Sequence, residues 1–278
     1  MGATTPGQSS IEVIHPDHPR GGFRFALFDF DGTLSLIREG WQGIMIPMMV
    51  EILLETGTRE PREAVEACVR DYVERLTGKQ TIYQMIQLAT EVRKRGGTPL
   101  EPLAYKRLYH DRLWQRIEHR VAGLKNGTLH PQEMMVPGAE AVLRALRARG
   151  LSLFLASGTD RHYVEDECAA LGLRDYFDGG IYGALDDYCQ FSKKQVIERI
   201  LRENELRGPE LLAFGDGYVE IENTKEVGGV AVGVASDEVG RQAVDPWKRR
   251  RLIQAGADVI LPHFGDHEAL IAYLFPDE

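Results

Sequence analysis

Two aspartates one residue apart, Asp29 and Asp31, close a short apolar run in the stretch FALFDFDGTL, residues 25–34. Later stretches carry related chemistry: Ser157 follows LSLFLA, Gly215 and Asp216 follow LLAF, and Glu220 stands four residues beyond Asp216. Lys193 and Lys194 come directly after Ser192. Carboxylates are the hard oxygen ligands that divalent cations take. One that stays ionised can attack an electrophile, and a second at its side can pass a proton. A hydroxyl and an ammonium group among them would hold the oxygens of an anion and offset the clustered charge. Taken singly, Asp-x-Asp, Ser-Gly and Gly-Asp-Gly are ordinary turn chemistry, so their meaning depends on where the fold puts them.

Residues 25–29 read as a strand. From Arg38 to about Lys125 apolar residues recur three and four apart in IMIPMMVEILLE, REAVEACVRDYVERL, IYQMIQLATEVRK and LAYKRLYHDRLWQRIEHRV, which predicts four helices in succession. From Val136 on, helical segments alternate with the apolar runs LSLFLAS, GGIYGA, LLAFGDG, GVAVGVA and ADVILP. Strand and helix alternating over this length predict the α/β class, a doubly wound parallel sheet with an all-helical block inserted after the first strand. Ligands of such sheets bind at the carboxyl ends of the strands. Asp29, Asp31, Ser157 and Asp216 all follow apolar runs, so three acids and a hydroxyl are expected at one edge. Glu220 shares a helix face with Asp216, and Ser192, as an N-cap, brings a lysine to the same place.

Composition narrows the function classes. A net charge of −9 repels nucleic-acid backbones and gives no general attraction to anionic membranes, so neither is expected as a partner. No apolar run approaches the length of a membrane span, and the N-terminus lacks the pattern of a secretion signal, which predicts a soluble cytoplasmic protein. Cys68, Cys168 and Cys189 are odd in number and widely spaced, as reduced thiols are. Residues 1–22, rich in Pro, Gly and Ser, read as a flexible lead-in. The basic run Lys248 to Arg251 reads as a solvated face or as partners for acids, and Trp41, Trp114 and Trp247 read as packing residues. Competing motifs fail on spacing. A calcium loop needs its glycine at the sixth position, whereas Gly32 is fourth. A phosphate-binding G-x-x-x-x-G-K-[ST] is absent, because Gly78-Lys79 lacks the upstream glycine. Glu220 occupies the third small position of a dinucleotide-binding G-x-G-x-x-G, which argues against nicotinamide or flavin chemistry.

With these residues in this order, the chain resembles the haloacid dehalogenase superfamily of magnesium-dependent phosphohydrolases, over essentially its whole length after residue 22. Asp29-Phe30-Asp31-Gly32-Thr33 is similar to the first motif, Ser157 to the second, Lys193 to the third, and Gly215-Asp216 through Glu220 to the fourth. The helical insert resembles the cap of the first cap subclass, as in phosphoglycolate phosphatases and β-phosphoglucomutases. Two positions depart from the commoner pattern: Glu220 stands where aspartate is more usual, and Leu34 to Ile37 lacks the acid frequent in phosphoglycolate-type members.

The resemblance implies a core of residues 23–37 and 126–278, a cap of residues 38–125, and Mg²⁺ as cofactor. Asp29, Asp216 and the main-chain carbonyl of Asp31 would hold the cation, with Glu220 orienting a bound water. Asp29 would be the nucleophile that forms an aspartyl phosphate, and Asp31 the acid and base. Ser157 and the N–H groups near Gly158 would hold the phosphate oxygens. Lys193 would offset charge, chosen over Lys194 because it is the first helical residue after Ser192. Arg38, Glu39 and Trp41 follow the first motif closely and are candidates to touch substrate. The second acid favours phosphate-ester over carbon–halogen chemistry, because an alkoxide leaving group needs a proton and a halide does not. The implied partner is a small phosphorylated metabolite, a sugar phosphate or a phosphorylated hydroxy acid, hydrolysed by a phosphatase. A phosphomutase of the same fold is the alternative, and a non-enzymatic binding module the third reading.

Overall fold

The central strand of the sheet is the one that delivers the two aspartates. In the computed structural model, which describes residues 11–185 and 192–276, the sheet has the order β1-β7-β6-β5-β2-β3-β4. These strands are β1 (Glu12–Val13), β2 (Phe25–Phe28), β3 (Ser152–Asp160), β4 (Gly180–Ala184), β5 (Leu211–Gly215), β6 (Val230–Val234) and β7 (Val259–Leu261). β2 lies between β3 and β5 and is parallel to both. Its four residues are all buried, as strands covered on two faces are. Phe25 and Leu27 turn to the face where α7 (Lys193–Glu203) packs Val196, Ile197 and Ile200. Ala26 and Phe28 turn to the other, among the buried residues of α5 (Ala139–Ala148), α6 (Arg161–Ala170) and α10 (His267–Leu274). There Phe28 stacks on Phe214, with ring centroids 4.5 Å apart and planes 8° off parallel. Two further helices, α8 (Tyr218–Glu226) and α9 (Pro246–Gln254), cover β5, β6 and β7 with Ile221 and Leu252.

The four helices expected between the first strand and the rest are α1 (Gln42–Leu54), α2 (Arg62–Leu76), α3 (Thr81–Lys94) and α4 (Pro102–Asn126). Their apolar faces meet one another through Met45, Met49, Val69, Tyr72, Met85 and Leu88, all buried. Phe30, Leu34, Leu36 and Ile37 join this cluster to the core beneath the sheet's carboxyl edge. No helix among the described residues is long and apolar enough to cross a membrane. Cys68 is a half-buried free thiol and Cys168 a buried one, whereas Cys189 lies outside the described residues.

The doubly wound parallel sheet is present as expected, with one antiparallel edge strand added: β1 pairs with β7, Glu12 opposite Ile260. Two expectations need correction. That same strand lies in the segment read as a flexible lead-in. It is held by the N–H groups of Ile14 and His15 donating to Asp258 O and by an ion pair of Glu12 with Arg249. Two ladder residues have no period for a sequence pattern to show; residues 1–10 lie outside the described ones. Finally, β3 runs on past Ser157 to Asp160, with a register shift between Ala156 and Asp160. Ser157 is therefore inside the strand rather than beyond it.

Candidate active site

Asp29 continues the line of β2, its N–H donating to Phe214 O at 2.9 Å. Its Oδ1 accepts from the Phe30 N–H at 2.8 Å, and its Oδ2 lies 2.9 Å from Lys193 Nζ. Lys193 takes that position because Ser192 caps α7, its Oγ accepting from Gln195 N–H at 3.1 Å. The same ammonium reaches Glu220 Oε2 at 2.8 Å, and Glu220 Oε1 accepts from Gly217 N–H at 2.6 Å, closing the first turn of α8. Lys194 instead points outward and pairs with Glu226 on the surface. At the end of β3, Thr159 Oγ1 and Ser157 Oγ donate to Asp31 Oδ2 at 2.9 and 3.3 Å. Asp31 Oδ1 is buried and accepts no hydrogen bond among the described residues; Arg38 Nε stands 3.8 Å from it. Asp216 closes the ring. A Cβ on Gly32, whose φ is +76°, would come 2.1 Å from Asp216 Oδ2, so only glycine lets the first turn pass this acid.

The acids outnumber the cations set among them. Asp29, Asp216 and Glu220 each place one carboxylate oxygen within 4.8 Å of the others. Burial raises Asp29 well above the usual carboxylate range; Lys193 opposes the rise, and Glu220 and Asp216 add to it. Burial likewise pushes Asp216 up to about 6 against the pull of Lys248, with Glu238 and Glu220 adding to the rise. Lys193 shows the reverse: burial disfavours its charge, but Asp29 and Glu220 outweigh burial and hold it protonated. Two ammonium groups leave part of this negative charge uncompensated, and a divalent cation would relieve it. The donors are all hard oxygens, and Asp31 Oδ1 is an orphaned acceptor beside them. The residues present therefore fit Mg²⁺.

Above the acids lies a cavity of about 110 Å³. Asp29, Asp31, Ser157, Lys193 and Asp216 line its floor, and Thr77, Gly78, Lys79, Thr81 and Gln84 from the helical insert line its roof. Arg38, Glu39, Trp41 and Gly158 line it as well, and Glu220 lies behind Lys193. Of the residues singled out in the sequence for a role at the site, the structure brings all but Lys194 to this cavity or directly behind it. A model of the haloacid dehalogenase-like hydrolases matches residues 23–228. The chain belongs to this family.

Solved structures agree with that hydrolase fold. A predicted phosphoglycolate phosphatase from Haemophilus somnus is similar at 16% identity with a TM-score of 0.57, over 90% of this chain and 98% of its own. CbbY from Rhodobacter sphaeroides, solved with xylulose-1,5-bisphosphate, is similar at 22% and 0.58, over 91% and 99%. A β-phosphoglucomutase from Clostridium difficile is similar at 12% and 0.57, over 90% and 97%. Identities this low speak for the fold. No curated protein matches the chain.

Some residues of the candidate site carry no signal in the sequence. Lys248, in a basic run read as a solvated face or as partners for acids, is buried and takes the second course; its Nζ lies 2.8 Å from Asp216 Oδ2, 2.8 Å from Glu238 Oε1 and 3.0 Å from Ser236 Oγ. Ser236 in turn donates to Gly32 O at 2.6 Å. An ion pair between remote segments leaves no local pattern, so nothing in the sequence marked Lys248 apart from Arg249 or Arg250. Thr159 reaches Asp31 because β3 runs on past Ser157, a continuation that no apolar period marks. The candidates for substrate contact carry partners of their own. Arg38 is turned inward, with Nη2 2.6 Å from Glu167 Oε1 and the Tyr163 ring 5.6 Å away, and Glu39 pairs with Arg120 at 3.3 Å.

The two lysines offer a direct test. Lys194→Ala is expected to leave kcat within about twofold, since an exposed ion pair contributes about 0–1 kcal/mol. Lys193→Ala is expected to lower kcat about 100-fold, the usual cost of removing a group that stabilises developing charge. Steady-state phosphate release from both variants decides it, and the reverse order of damage would reassign the motif lysine.

Proposed function

We propose that the protein is a Mg²⁺-dependent phosphatase that hydrolyses a small phosphorylated metabolite, a sugar phosphate or a phosphorylated hydroxy acid, through an aspartyl phosphate on Asp29. The observation that carries this reading is the unequal surroundings of two carboxylates in one cavity. Asp29 faces a buried ammonium, which opposes the rise that burial imposes on its carboxyl and so favours the ionised nucleophile. Asp31 faces two hydroxyls and an arginine instead of an ammonium, and it lines the cavity beside Asp29. A cavity of about 110 Å³ under the roof of the insert suits a small ester.

In the proposed reaction Asp29 Oδ2 attacks phosphorus, and the P–O bond to the leaving group breaks as the new O–P bond forms. Asp31 gives its proton to the departing alkoxide. It then takes a proton from the water that attacks the aspartyl phosphate, which releases inorganic phosphate and restores Asp29. Ser157 Oγ and Lys193 Nζ hold the phosphoryl oxygens while charge shifts between them. Asp29, Asp216 and the Asp31 carbonyl would hold Mg²⁺, with Glu220 fixing the Lys193 ammonium and the α8 turn behind them. When bound, the cation supplies the charge that lets a phosphate dianion approach these carboxylates.

Phosphate release from a panel of sugar phosphates, phosphorylated hydroxy acids and nucleotides tests the reading. Turnover is expected with Mg²⁺, to vanish in excess EDTA and return on adding the metal back, and to be blocked by beryllium fluoride, a mimic of the phosphoryl group on Asp29. Full activity in EDTA would remove the metal from the mechanism, and release from none of the panel would remove the phosphatase.

A further inference from the structure

The helical insert touches the core on two sides of the cavity, and the sides differ in mechanical position. On the first, the chain enters and leaves the insert: Arg38 is bound to Glu167 of α6, Arg120 donates to Ile37 O at 2.7 Å, and Lys125 near the end of α4 pairs with Asp166 at 2.7 Å. On the second stands the carboxyl end of α2, which lies far along the chain from both crossings. There Arg251 of α9 reaches over from the core. Its Nη1 donates to Glu74 O and its Nη2 to Thr77 O at 3.5 Å, across 177 and 174 residues of sequence. The rings of Trp247 and Tyr218 hold the guanidinium, with centroids 4.5 and 4.9 Å from Cζ.

Several features suit this contact to a specific task. The last carbonyls of a helix lack intrahelical donors, and a cation there is favoured by the helix dipole. Immediately after α2 come Thr77, Gly78, Lys79 and Thr81, which line the roof of the cavity. Gly78 passes so close to the turn after Asp216 that a Cβ on Gly217 would meet its Cα at 3.2 Å. α9 is itself anchored, because Lys248, one turn before Arg251, is fixed to Asp216.

We propose that Arg251 is a positioning residue that latches the helical insert over the active site by holding the carboxyl end of α2. Substrate enters when the insert tilts away about its two chain crossings; the end of α2, far from those crossings, moves most. The Arg251 contacts break in that motion while the Arg38–Glu167 pair beside the crossings stays made. The latch thus sets the balance between open and closed forms, and it rests on the proposed function above, in which the substrate is held in the cavity that the insert roofs.

Arg251→Met removes the charge and keeps much of the apolar stem; Arg251→Lys keeps the charge and loses the planar fork that spans two carbonyls. Amide hydrogen exchange on the substrate-free enzyme is followed beside the kinetics of p-nitrophenyl phosphate with Mg²⁺. In Arg251→Met, residues 76–84 are expected to exchange about 10-fold faster while β2 and β5 keep their protection. KM is expected to rise about 5- to 10-fold with kcat within about threefold, because fewer molecules are closed and the reacting groups are untouched. Arg251→Lys should fall between the variant and the wild type. Unchanged exchange at 76–84 in both variants overturns the latch whether or not the enzyme hydrolyses phosphate. Faster exchange throughout the chain with a lower melting temperature also overturns it, since Arg251 would then serve only the fold. Local loosening at 76–84 in a protein that hydrolyses no phosphate ester upholds the latch and rejects the phosphatase reading instead.

Discussion

Asp29→Asn is expected to abolish turnover, with a loss of about 10⁴-fold or more in kcat, while the protein stays folded. An amide oxygen at the same place is a poor nucleophile and cannot form a stable aspartyl phosphate, so no other residue of the cavity inherits the step. Structure should survive because the isosteric Oδ1 still accepts from Phe30 N–H and Lys193 keeps Glu220 as partner. The substitution also removes a carboxylate that burial and two neighbouring acids disfavour, so the urea midpoint should hold or rise. Phosphate release and urea unfolding together check this. Activity above about a tenth of wild type in a folded Asp29→Asn protein would take the nucleophile's role from Asp29, since removal of a nucleophile costs orders of magnitude. Loss of activity with loss of fold would show a structural carboxylate instead.

The parts of this site that were legible in the sequence are those tied to regular local structure. A strand of alternating faces ends where its apolar residues end, so Asp29 and Asp31 could be placed at the carboxyl edge from FALF alone. Ser192 before a helical period fixes which lysine begins α7, and the structure sets Lys193 inward and Lys194 on the surface. The helical insert was visible because four amphipathic periods in a row cannot be a loop. Long-range pairing was not legible. Lys248, Arg249 and Arg251 look alike in sequence, yet they reach Asp216, Glu12 and the end of α2 respectively, because each direction is set by the turn of α9 against β6 and β7. β1 was hidden for the same reason: its two residues are a strand only because β7 offers an open edge. Arg38 was read only as a candidate to touch substrate; it lies beside Asp31, and the buried Glu167 that turns its guanidinium inward stands 129 residues away.

Asp31→Asn is expected to separate the two halves of the reaction by leaving group. For a sugar phosphate or other alkyl ester the departing alkoxide needs a proton, and losing the acid should cut kcat/KM about 10³-fold, within the usual range for general acid catalysis. p-Nitrophenolate leaves unaided, so the first step with p-nitrophenyl phosphate should slow by less than about 10-fold, the acid supplying little there. Hydrolysis of the aspartyl phosphate still needs a base, and that step is the same whatever the leaving group was. The variant should therefore release one equivalent of p-nitrophenol per enzyme in a rapid burst and then turn over slowly, with phosphate held on Asp29. The wild type should show no such burst if its second step keeps pace. The geometry allows the substitution, since an amide oxygen can still accept from Thr159 and Ser157 as the carboxylate does. Rapid-mixing absorbance with p-nitrophenyl phosphate, set beside phosphate release from an alkyl ester, distinguishes the outcomes. Equal slowing of both esters in the first step, with no burst, would mean that Asp31 does not face the leaving group. The proton would then have to come from elsewhere in the cavity, and the unequal surroundings of the two aspartates would need another cause.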